Sequence, residues 1–294
     1  MSSYPTKIAV LTHVNDNFVS GPYLLRFLVD AWKNVGIDIR VLRGIEHFEP
    51  ADALILHTDL TIVPDDYLAF CKQYPFVING GVGDISKRKI SSNLVGQRDL
   101  YFGPVIVKTN CNFGGKPERK MARPLYRLLS RLAEWLPWSW TGQLHPDKYP
   151  IFNSSRDVPR AVWRNPHLVV ERFLPERESA YYCLRQWIFF GDHEINHRVF
   201  SKSPIVKARN TIHREDGLPV PEALRSLRTM LQFDYGKFDY TLVNGEPILY
   251  DANRTPAVAW TTTTARQASI VNELTQGLFS FFSKKEGERE VATP

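Results

Sequence analysis

Short apolar runs alternate with helical repeats along residues 7–80, and this alternation limits the fold more than any other feature of the sequence. The strand-like runs are KIAVLTHV, IDIRVLRG, DALILHT and FVING. Between them, PYLLRFLVDAWKNVG and PDDYLAFCKQY have the composition and apolar spacing of helices. Strands that alternate with helices in this way favour a parallel α/β sheet. The sequence therefore predicts a Rossmann-like lobe over residues 1–85.

The turn after the first strand-like run lacks the glycines of a dinucleotide-binding lobe. The segment THVNDNFVSGPYLL offers a single glycine, Gly21, where the dinucleotide fingerprint needs three. We therefore expect that this lobe does not hold NAD.

The composition predicts a globular cytoplasmic protein. The chain has 294 residues, of which 43% are hydrophobic and 23% charged, and it has no run of about 18 apolar residues that would predict a membrane span. The N-terminus has no long apolar stretch behind a basic start, so we expect no secretory signal. Three widely spaced cysteines argue against a disulfide framework. The net charge of +6 favours anionic ligands and does not require nucleic acid.

From residue 103 the pattern changes to an apolar strand followed by a polar loop. In GPVIVKTNCNFGG, Ile106 and Lys108 share one face of the predicted strand, and Gly114 and Gly115 follow in the loop. A lysine at a strand end can meet phosphate as a point charge, and glycines let backbone N–H groups approach the same oxygens. The segment is not a P-loop, and taken alone it also fits a surface lysine before an ordinary loop.

A second strand-like run, HLVVE, leads into an irregular segment with two carboxylates. Glu171 ends the run, and Glu178 follows seven residues later. A strand that runs into a short linker exposes backbone N–H and C=O groups, which can read the edge of a purine. The two carboxylates can accept hydrogen bonds from an amino group and from ribose hydroxyls. Solvated loop acids are the alternative interpretation.

A hairpin near the C-terminus combines apolar strands with three oxygen-bearing side chains. The segment KFDYTLVNGEPILYDANRTP predicts two strands about an Asn-Gly turn. Asp239 lies in the first strand, and Asp251 and Asn253 share one face of the second. Two carboxylates and an amide carbonyl are hard oxygen ligands of the kind that magnesium takes. A surface hairpin with outward polar residues is the alternative, but it does not explain why both faces of the strands carry apolar residues.

Joint metal binding by the two aspartates depends on the register of this hairpin. With a two-residue Asn-Gly loop, Asp239 would face Tyr250, and the two aspartates would point to opposite sides of the sheet. One extra residue, in a three-residue loop 244–246 or in a glycine-type bulge, brings Asp251 opposite Asp239. We therefore predict that Asp239 pairs opposite Asp251.

In this order, VIVKTNCNFGG, VVERFLPERE and FDYTLVNGEPILYDANRTP resemble the motifs of the ATP-grasp superfamily, and the likeness covers nearly the whole chain. Their order and spacing are similar to those of the carboxylate–amine ligases, such as D-alanine–D-alanine ligase, glutathione synthetase and the ribosomal-protein glutamate ligases. The resemblance implies an α/β ATP-grasp fold with an N-terminal Rossmann-like lobe. The implied division is a first lobe 1–85, an ATP-grasp domain 86–283 and a disordered tail 284–294. Within the ATP-grasp domain, the central lobe covers 103–170, including a helical insertion 117–140, and the C-terminal lobe covers 171–283.

The resemblance also implies which residues bind the nucleotide. Lys108 matches the strand lysine that holds ATP phosphates, Glu171 matches the glutamate that reads the adenine amino group, and Glu178 matches the ribose ligand. The hinge backbone that reads the purine edge falls at Phe173 and Leu174. The full set of candidate nucleotide-binding residues is Lys89, Ile106, Lys108, Gly114, Gly115, Glu171, Phe173, Leu174 and Glu178.

A further lysine ahead of the central lobe reaches the phosphates in the family, and we assign it to Lys89, with Lys87 as the next choice. Asp239, Asp251 and Asn253 match the magnesium ligands. The sequence departs from the family at Asp251, where a glutamate is usual, so this carboxylate is one methylene shorter. Its glycine loop is also sparse.

The activity implied by the resemblance is ATP-dependent ligation. The γ-phosphoryl group passes to a substrate carboxylate, and an amine then displaces phosphate from the acylphosphate. Lys237 shares a strand face with Asp239 and would sit over the transferred phosphoryl group. Arg185 and Arg209 are candidates for holding the acceptor carboxylate or the acylphosphate, because an arginine fork matches the planar geometry of a carboxylate. Solvated sheet edges are the alternative for both arginines.

The implied cofactors are ATP and Mg²⁺, or Mn²⁺ in its place. The implied partners are small-molecule or peptide carboxylates and amines, and no nucleic acid. Two other classes of protein stay open: an ATP-grasp kinase that phosphorylates a small molecule, and a nucleotide-binding protein without turnover.

The insertion 117–140 predicts an amphipathic helix with a basic stripe. Its leucines are Leu125, Leu128, Leu129, Leu132 and Leu136, and its arginines are Arg123, Arg127 and Arg131. We expect this helix to cover the acceptor site. Basic charge with terminal tryptophans is also the composition of an interfacial helix, so contact of 119–140 with a membrane surface is the alternative.

Overall fold

The first lobe is a four-stranded parallel sheet. The computed structural model describes residues 5–122, 135–258 and 264–291, with the side chains of the last range up to residue 283. The strand order is β2-β1-β3-β4. The elements of the lobe are β1 Lys7–Thr12, α1 Leu24–Asn34, β2 Asp38–Arg43, β3 Ala53–Leu56, α2 Asp65–Cys71 and β4 Val77–Ile78. The predicted parallel sheet is confirmed.

Helices cover both faces of this sheet. The α1 side contributes Leu28 and Trp32 to one buried cluster, and the α2 side contributes Tyr67 and Phe70 to another. All four residues of β3 are buried. A strand that is covered on both faces has no solvent side, which is why these strands are continuous apolar runs in the sequence.

A three-stranded antiparallel sheet, in the order β6-β5-β7, forms the central lobe. The elements from residue 87 to the end of this sheet are α3 Lys87–Ile90, β5 Val105–Thr109, α4 Lys116–Met121, α5 Trp138–Thr141, β6 Ile151–Phe152, α6 Arg160–Arg164 and β7 Leu168–Arg172. A tight 3-10 turn, Asn112–Gly115, joins β5 to α4. Val105, Val107 and Val170 pack one face of the sheet against α6.

The C-terminal lobe is a larger antiparallel sheet. Its order is β11-β10-β9-β12-β13, with β8 paired on β9. Its elements are β8 Glu176–Glu178, β9 Tyr181–Phe190, β10 His193–Ser201, β11 His213–Asp216, α7 Glu222–Met230, β12 Tyr235–Val243 and β13 Glu246–Asn253. Trp187, Phe189 and Phe238 contact one another edge to face or tilted at its centre. Aromatic pairs of this kind stabilise a sheet core beyond the area they bury.

The last helix, α8 Ala265–Val291, packs across two lobes. Its Leu274 and Leu278 share a buried cluster with Trp32 of α1 and Phe190 of β9. The predicted tail 284–294 overlaps the last turns of α8, and residues 292–294 lie outside the described ranges.

Half of the predicted insertion lies outside the described residues. Helices α4 and α5 occupy its two ends, whereas 123–134, which hold its arginines and four of its leucines, are not among the described ranges. Among the helices that are described, none combines the length and hydropathy needed to cross a bilayer.

Candidate active site

Two adjoining clefts lie where the central and C-terminal sheets meet. The first cleft, of about 810 Å³, is lined from β5 by Ile106 and Lys108 and from β13 by Tyr250 and Asp251. The second cleft, of about 1370 Å³, extends from there to the first lobe and α4. The two share Phe113, Leu184, Val206, Lys207, Asp239 and Asp251 as lining residues. The two aspartates therefore stand at the junction.

Lys108 faces the first cleft and is paired with a buried carboxylate. Its Nζ lies 2.6 Å from Glu171 Oε2 and 4.7 Å from the centre of the Tyr250 ring. Glu171 lies opposite Ile106 in the β5–β7 register and is fully buried. Its Oε1 has no hydrogen-bond partner among the described residues. Ile106 and Lys108 share a face as predicted, whereas Glu171 contacts the cleft through Lys108.

Of the two candidate lysines of α3, Lys87 lines the first cleft and Lys89, the preferred choice, does not. Lys87 is 3% exposed, and its Nζ lies 2.6 Å from Asp251 Oδ1, whereas Lys89 is exposed. Residues i and i+2 of a helix are about 200° apart around its axis, so only one of these two lysines can face the cleft. Burial opposes the charge of Lys87, but Asp251 outweighs it and raises the pKa of Lys87. Burial alone raises the pKa of Asp251, but the charge of Lys87 outweighs burial and lowers this pKa.

The two aspartates are directly opposed across the β12–β13 hairpin, which confirms the predicted register. Asp239 pairs with Asp251, and Tyr240 with Leu249, so Tyr250 is one extra residue within β13. The turn itself contains two residues, since Val243 pairs with Glu246. The extra residue required for joint metal binding therefore lies in a bulge inside the strand rather than at the loop. Tyr250 in this bulge donates to the carbonyl of Leu174 at 2.5 Å.

The oxygen donors at the junction fit a divalent cation of the magnesium kind. Asp239 Oδ1 accepts from Gln186 Nε2 at 2.8 Å, and Asn253 Oδ1 accepts from the Thr255 N–H at 2.9 Å. Within the described residues no three His, Cys, Asp or Glu side chains form a metal-binding group. Two carboxylates with an amide are an incomplete shell, as expected for magnesium that is completed by phosphate oxygens and water.

Two further lysines lie beside the aspartates. Lys237 Nζ is 3.1 Å from Asp239 Oδ1, as its shared strand face predicts. Lys207, which the sequence interpretation missed, lines both clefts. Burial lowers the pKa of Lys207, and the two aspartates only partly offset this. The available sequence clue was its place in the loop SPIVKARN, two residues before the arginine that we chose instead.

Both predicted arginines point to other partners. Arg185 forms a bidentate pair with Glu176 of β8, at 2.8 Å from Nη2 to Oε1. Arg209 is 67% exposed and pairs with Asp147 at 3.0 Å. Arg209 lies in the 3-10 turn Ala208–Asn210, just beyond Lys207, so the chain brings the lysine rather than the arginine to the clefts. Neither arginine lines a cleft in the described structure.

The hinge after β7 contributes a side chain to the first cleft. Phe173 lines it, and its N–H donates to the Pro104 carbonyl at 2.8 Å. The Leu174 carbonyl accepts from Tyr250. Glu178 is half-exposed and pairs with Arg198 at 2.8 Å, and it lines neither of the two clefts.

The loop after β5 has a backbone that only small residues adopt readily. Phe113, Gly114 and Gly115 have φ of 45°, 67° and 69°. A Cβ on Gly114 would lie 2.9 Å from the Leu144 carbonyl oxygen, so glycine is required there. Phe113 carries the cost of a left-handed conformation, and it is this residue that lines both clefts. The two glycines shape the loop that presents it.

Comparisons with known proteins identify the fold. No family model and no curated protein matches the sequence. Among solved structures, a RimK domain protein ATP-grasp from Sphaerobacter thermophilus is similar at a TM-score of 0.50 and 12% identity, over 94% of this chain and 98% of that chain. The ATP-grasp ligase PsnB, complexed with a minimal precursor, is similar at 0.52 and 11% identity, over 94% and 99%. The chain therefore has the ATP-grasp fold.

Proposed function

We propose that the protein is an ATP- and magnesium-dependent ligase that joins a carboxylate to an amine through an acylphosphate. The observation that carries the proposal is the junction of the two clefts. There, Asp239 and Asp251 are opposed in register, and four lysines converge on them or on the adjoining cleft wall. These lysines are Lys87, Lys108, Lys207 and Lys237.

The first cleft suits a nucleotide. Apolar side chains, among them Ile106, Phe173 and Leu184, line it and can enclose a purine ring. Lys87 and Lys108 also line this cleft, where phosphates would be met by point charges. A base therefore has an apolar site, and a polyphosphate has a cationic one, within a single cleft.

The acidic pair would hold the cation that accompanies the phosphates. Asp239, Asp251 and Asn253 supply only oxygen donors, which is the set that magnesium prefers. When bound, magnesium neutralises phosphate charge. Lys87 and Lys237, each within about 3 Å of one aspartate, would orient those carboxylates at the junction.

The second cleft would hold the carboxylate and the amine. It begins at the two aspartates, where the γ-phosphoryl group would lie, and continues to Tyr23 and Asp59 of the first lobe. A carboxylate oxygen attacks the γ-phosphorus and ADP leaves; the amine then attacks the carbonyl carbon and phosphate leaves. Phosphoryl transfer depends mainly on positioning and on charge neutralisation, and Lys207 and Lys237 are placed to do both.

Nucleotide binding is the first test of this proposal. Mg-ATP should raise the melting temperature, because a ligand that binds only the folded state adds about 2.7 kcal/mol of stability at a hundredfold excess over its Kd. Lys108→Ala and Asp251→Ala should each abolish most of that shift. A shift of the same size in wild type and both variants would contradict the proposal.

Turnover is the second test. ADP release should depend on a carboxylate, and hydroxylamine should trap the acylphosphate as a hydroxamate. Phosphorylated product without hydroxamate would indicate a kinase, and binding without ADP release under any carboxylate tried would indicate a protein without turnover.

A further inference from the structure

Helix α4 is tied to the first lobe by a carboxylate outside the catalytic junction. Glu118 Oε1 accepts two hydrogen bonds from Thr61, from its backbone N–H at 2.8 Å and from its hydroxyl at 2.5 Å. The Thr61 hydroxyl in turn accepts from the Asn112 N–H at 2.8 Å. Thr61 is 3% exposed, so water competes little for these bonds. A single threonine thus holds both the start of the loop after β5 and the helix that follows it.

Two weaker contacts support the same attachment. Asn15 Nδ2 donates to the Met121 carbonyl at 2.9 Å at the end of α4. Lys120 Nζ lies 3.5 Å from Asp16 Oδ1, but it is half-exposed, so this pair is weak. Helix α4 is therefore attached to the first lobe at Glu118 and again at its C-terminal end.

Helix α4 contributes to the second cleft only. Lys116, Pro117 and Lys120 line the second cleft, and none of them lines the first. Glu118 points the other way, into the first lobe. Its position on the helix therefore decides which way the two lysines face.

The loop that receives Glu118 is itself anchored to the metal-bearing strand. Arg254, next to Asn253, is fully buried and donates to the carbonyls of Thr58 and Leu60. Thr255 donates to Asp59 at 2.7 Å. The loop 58–61 therefore connects α4 on one side with the end of β13 on the other.

We propose that Glu118 is a positioning residue for the acceptor: through Thr61 it fixes helix α4 so that Lys116 and Lys120 face the second cleft. This inference rests on the proposed function of that cleft as the acceptor site. Glu118 touches no reacting group, and its effect on turnover passes through the helix.

Hydrogen exchange on the nucleotide-free protein tests the attachment itself. Glu118→Ala should speed exchange of the Thr61 N–H about tenfold, the effect of losing a hydrogen bond of average strength. Glu118→Gln keeps an acceptor oxygen and should preserve protection. A second pair of variants, at Thr61, keeps the test valid if Glu118→Ala misfolds. Thr61→Val should speed exchange of the Asn112 N–H, and Thr61→Ser should not. Unchanged exchange in Glu118→Ala and Thr61→Val would overturn the proposal.

Kinetics test the positioning role. In Glu118→Ala the kcat for ADP release should fall about tenfold, with the KM for Mg-ATP unchanged, and Glu118→Gln should restore kcat. A rise in the KM for Mg-ATP with kcat unchanged, or a Glu118→Gln variant as impaired as Glu118→Ala, would overturn it. If wild type releases no ADP, the proposed function fails, and the exchange rates still decide whether Glu118 holds the helix.

Discussion

Neighbouring lysines on helix α3 have opposite environments. Lys87 is buried against Asp251, and Lys89, two positions on, is exposed to solvent. The two residues have the same chemistry and nearly the same sequence context. Only the rotation of a one-turn helix distinguishes them, and this makes them a matched pair for testing the cleft.

Lys87→Ala should remove most of the Mg-ATP melting shift and lower ADP release at least about tenfold, because it leaves Asp251 without its cation beside the phosphates. Lys89→Ala should match wild type in both measurements. Equal losses of the melting shift and of ADP release in the two variants would mean that the lysine charge acts from the surface. If both variants kept wild-type values, Lys87 would not be part of the site.

At the scale of elements, strand β8 is held to its sheet by a partly buried ionic network. Glu176 accepts from Arg185, from Arg198 and from the Leu242 N–H, whereas Glu178 on the same strand is half-exposed. Burial alone raises the pKa of Glu176, but these hydrogen bonds and charges outweigh it and lower the pKa below its usual value. The network therefore explains why Arg185 is not available to a substrate.

Glu176→Gln should destabilise the protein by about 3 kcal/mol, because it leaves Arg185 partly buried without its carboxylate partner, whereas Arg198 keeps Glu178 and Glu215. Glu178→Gln, the exposed control, should change stability by less than about 0.5 kcal/mol. Urea unfolding curves at pH 7 measure both. Similar losses in the two variants would mean that the network contributes no more than a surface ion pair.

The same variant has a defined pH dependence. The folded pKa of Glu176 lies below the unfolded value of about 4.5, so ionised Glu176 stabilises the fold above pH 4.5. That stabilisation is lost as the pH falls through the folded pKa. The difference in unfolding free energy between wild type and Glu176→Gln should therefore shrink below pH 4.5, and a difference that stays constant to lower pH would contradict it.

At the scale of the whole molecule, helix α8 joins the first lobe to the C-terminal sheet through a close backbone contact. A Cβ on Gly277 would lie 1.8 Å from the Phe190 carbonyl oxygen. Trp32 of α1 donates to the Thr275 carbonyl of the same helix at 3.0 Å. The distance between helix and sheet is therefore set by the absence of a side chain at Gly277.

Gly277→Ala should lower the melting temperature, since a forced separation of packed elements costs about 1–3 kcal/mol and outweighs the gain of up to about 1 kcal/mol in helix propensity. Gln276→Ala, at the exposed neighbouring position, changes helix propensity only slightly and creates no clash, so it should be neutral or slightly stabilising. A Gly277→Ala variant as stable as Gln276→Ala would show that the helix can shift at no cost.

Local patterns predicted much of this protein. The alternation of strands and helices predicted the parallel sheet, the motif order predicted the ATP-grasp fold, and the requirement that Asp239 and Asp251 bind one metal together predicted that they are opposed. Period, turn chemistry and strand parity are properties of neighbouring residues, so a sequence displays them directly. The division into domains and the binding roles of the site residues stay predictions.

The tertiary structure decided what depends on distant partners. The bulge at Tyr250 supplies the extra residue that the hairpin needs, and no turn residue marks it. Lys87 rather than Lys89 meets Asp251 because a helix 164 residues away in the chain is rotated toward β13. Arg185 pairs with Glu176 away from the clefts, and Lys207 is the basic residue that lines them. Each of these outcomes follows from how separate lobes pack, because a side chain's charge can act only where packing brings it within a few ångströms of its partner.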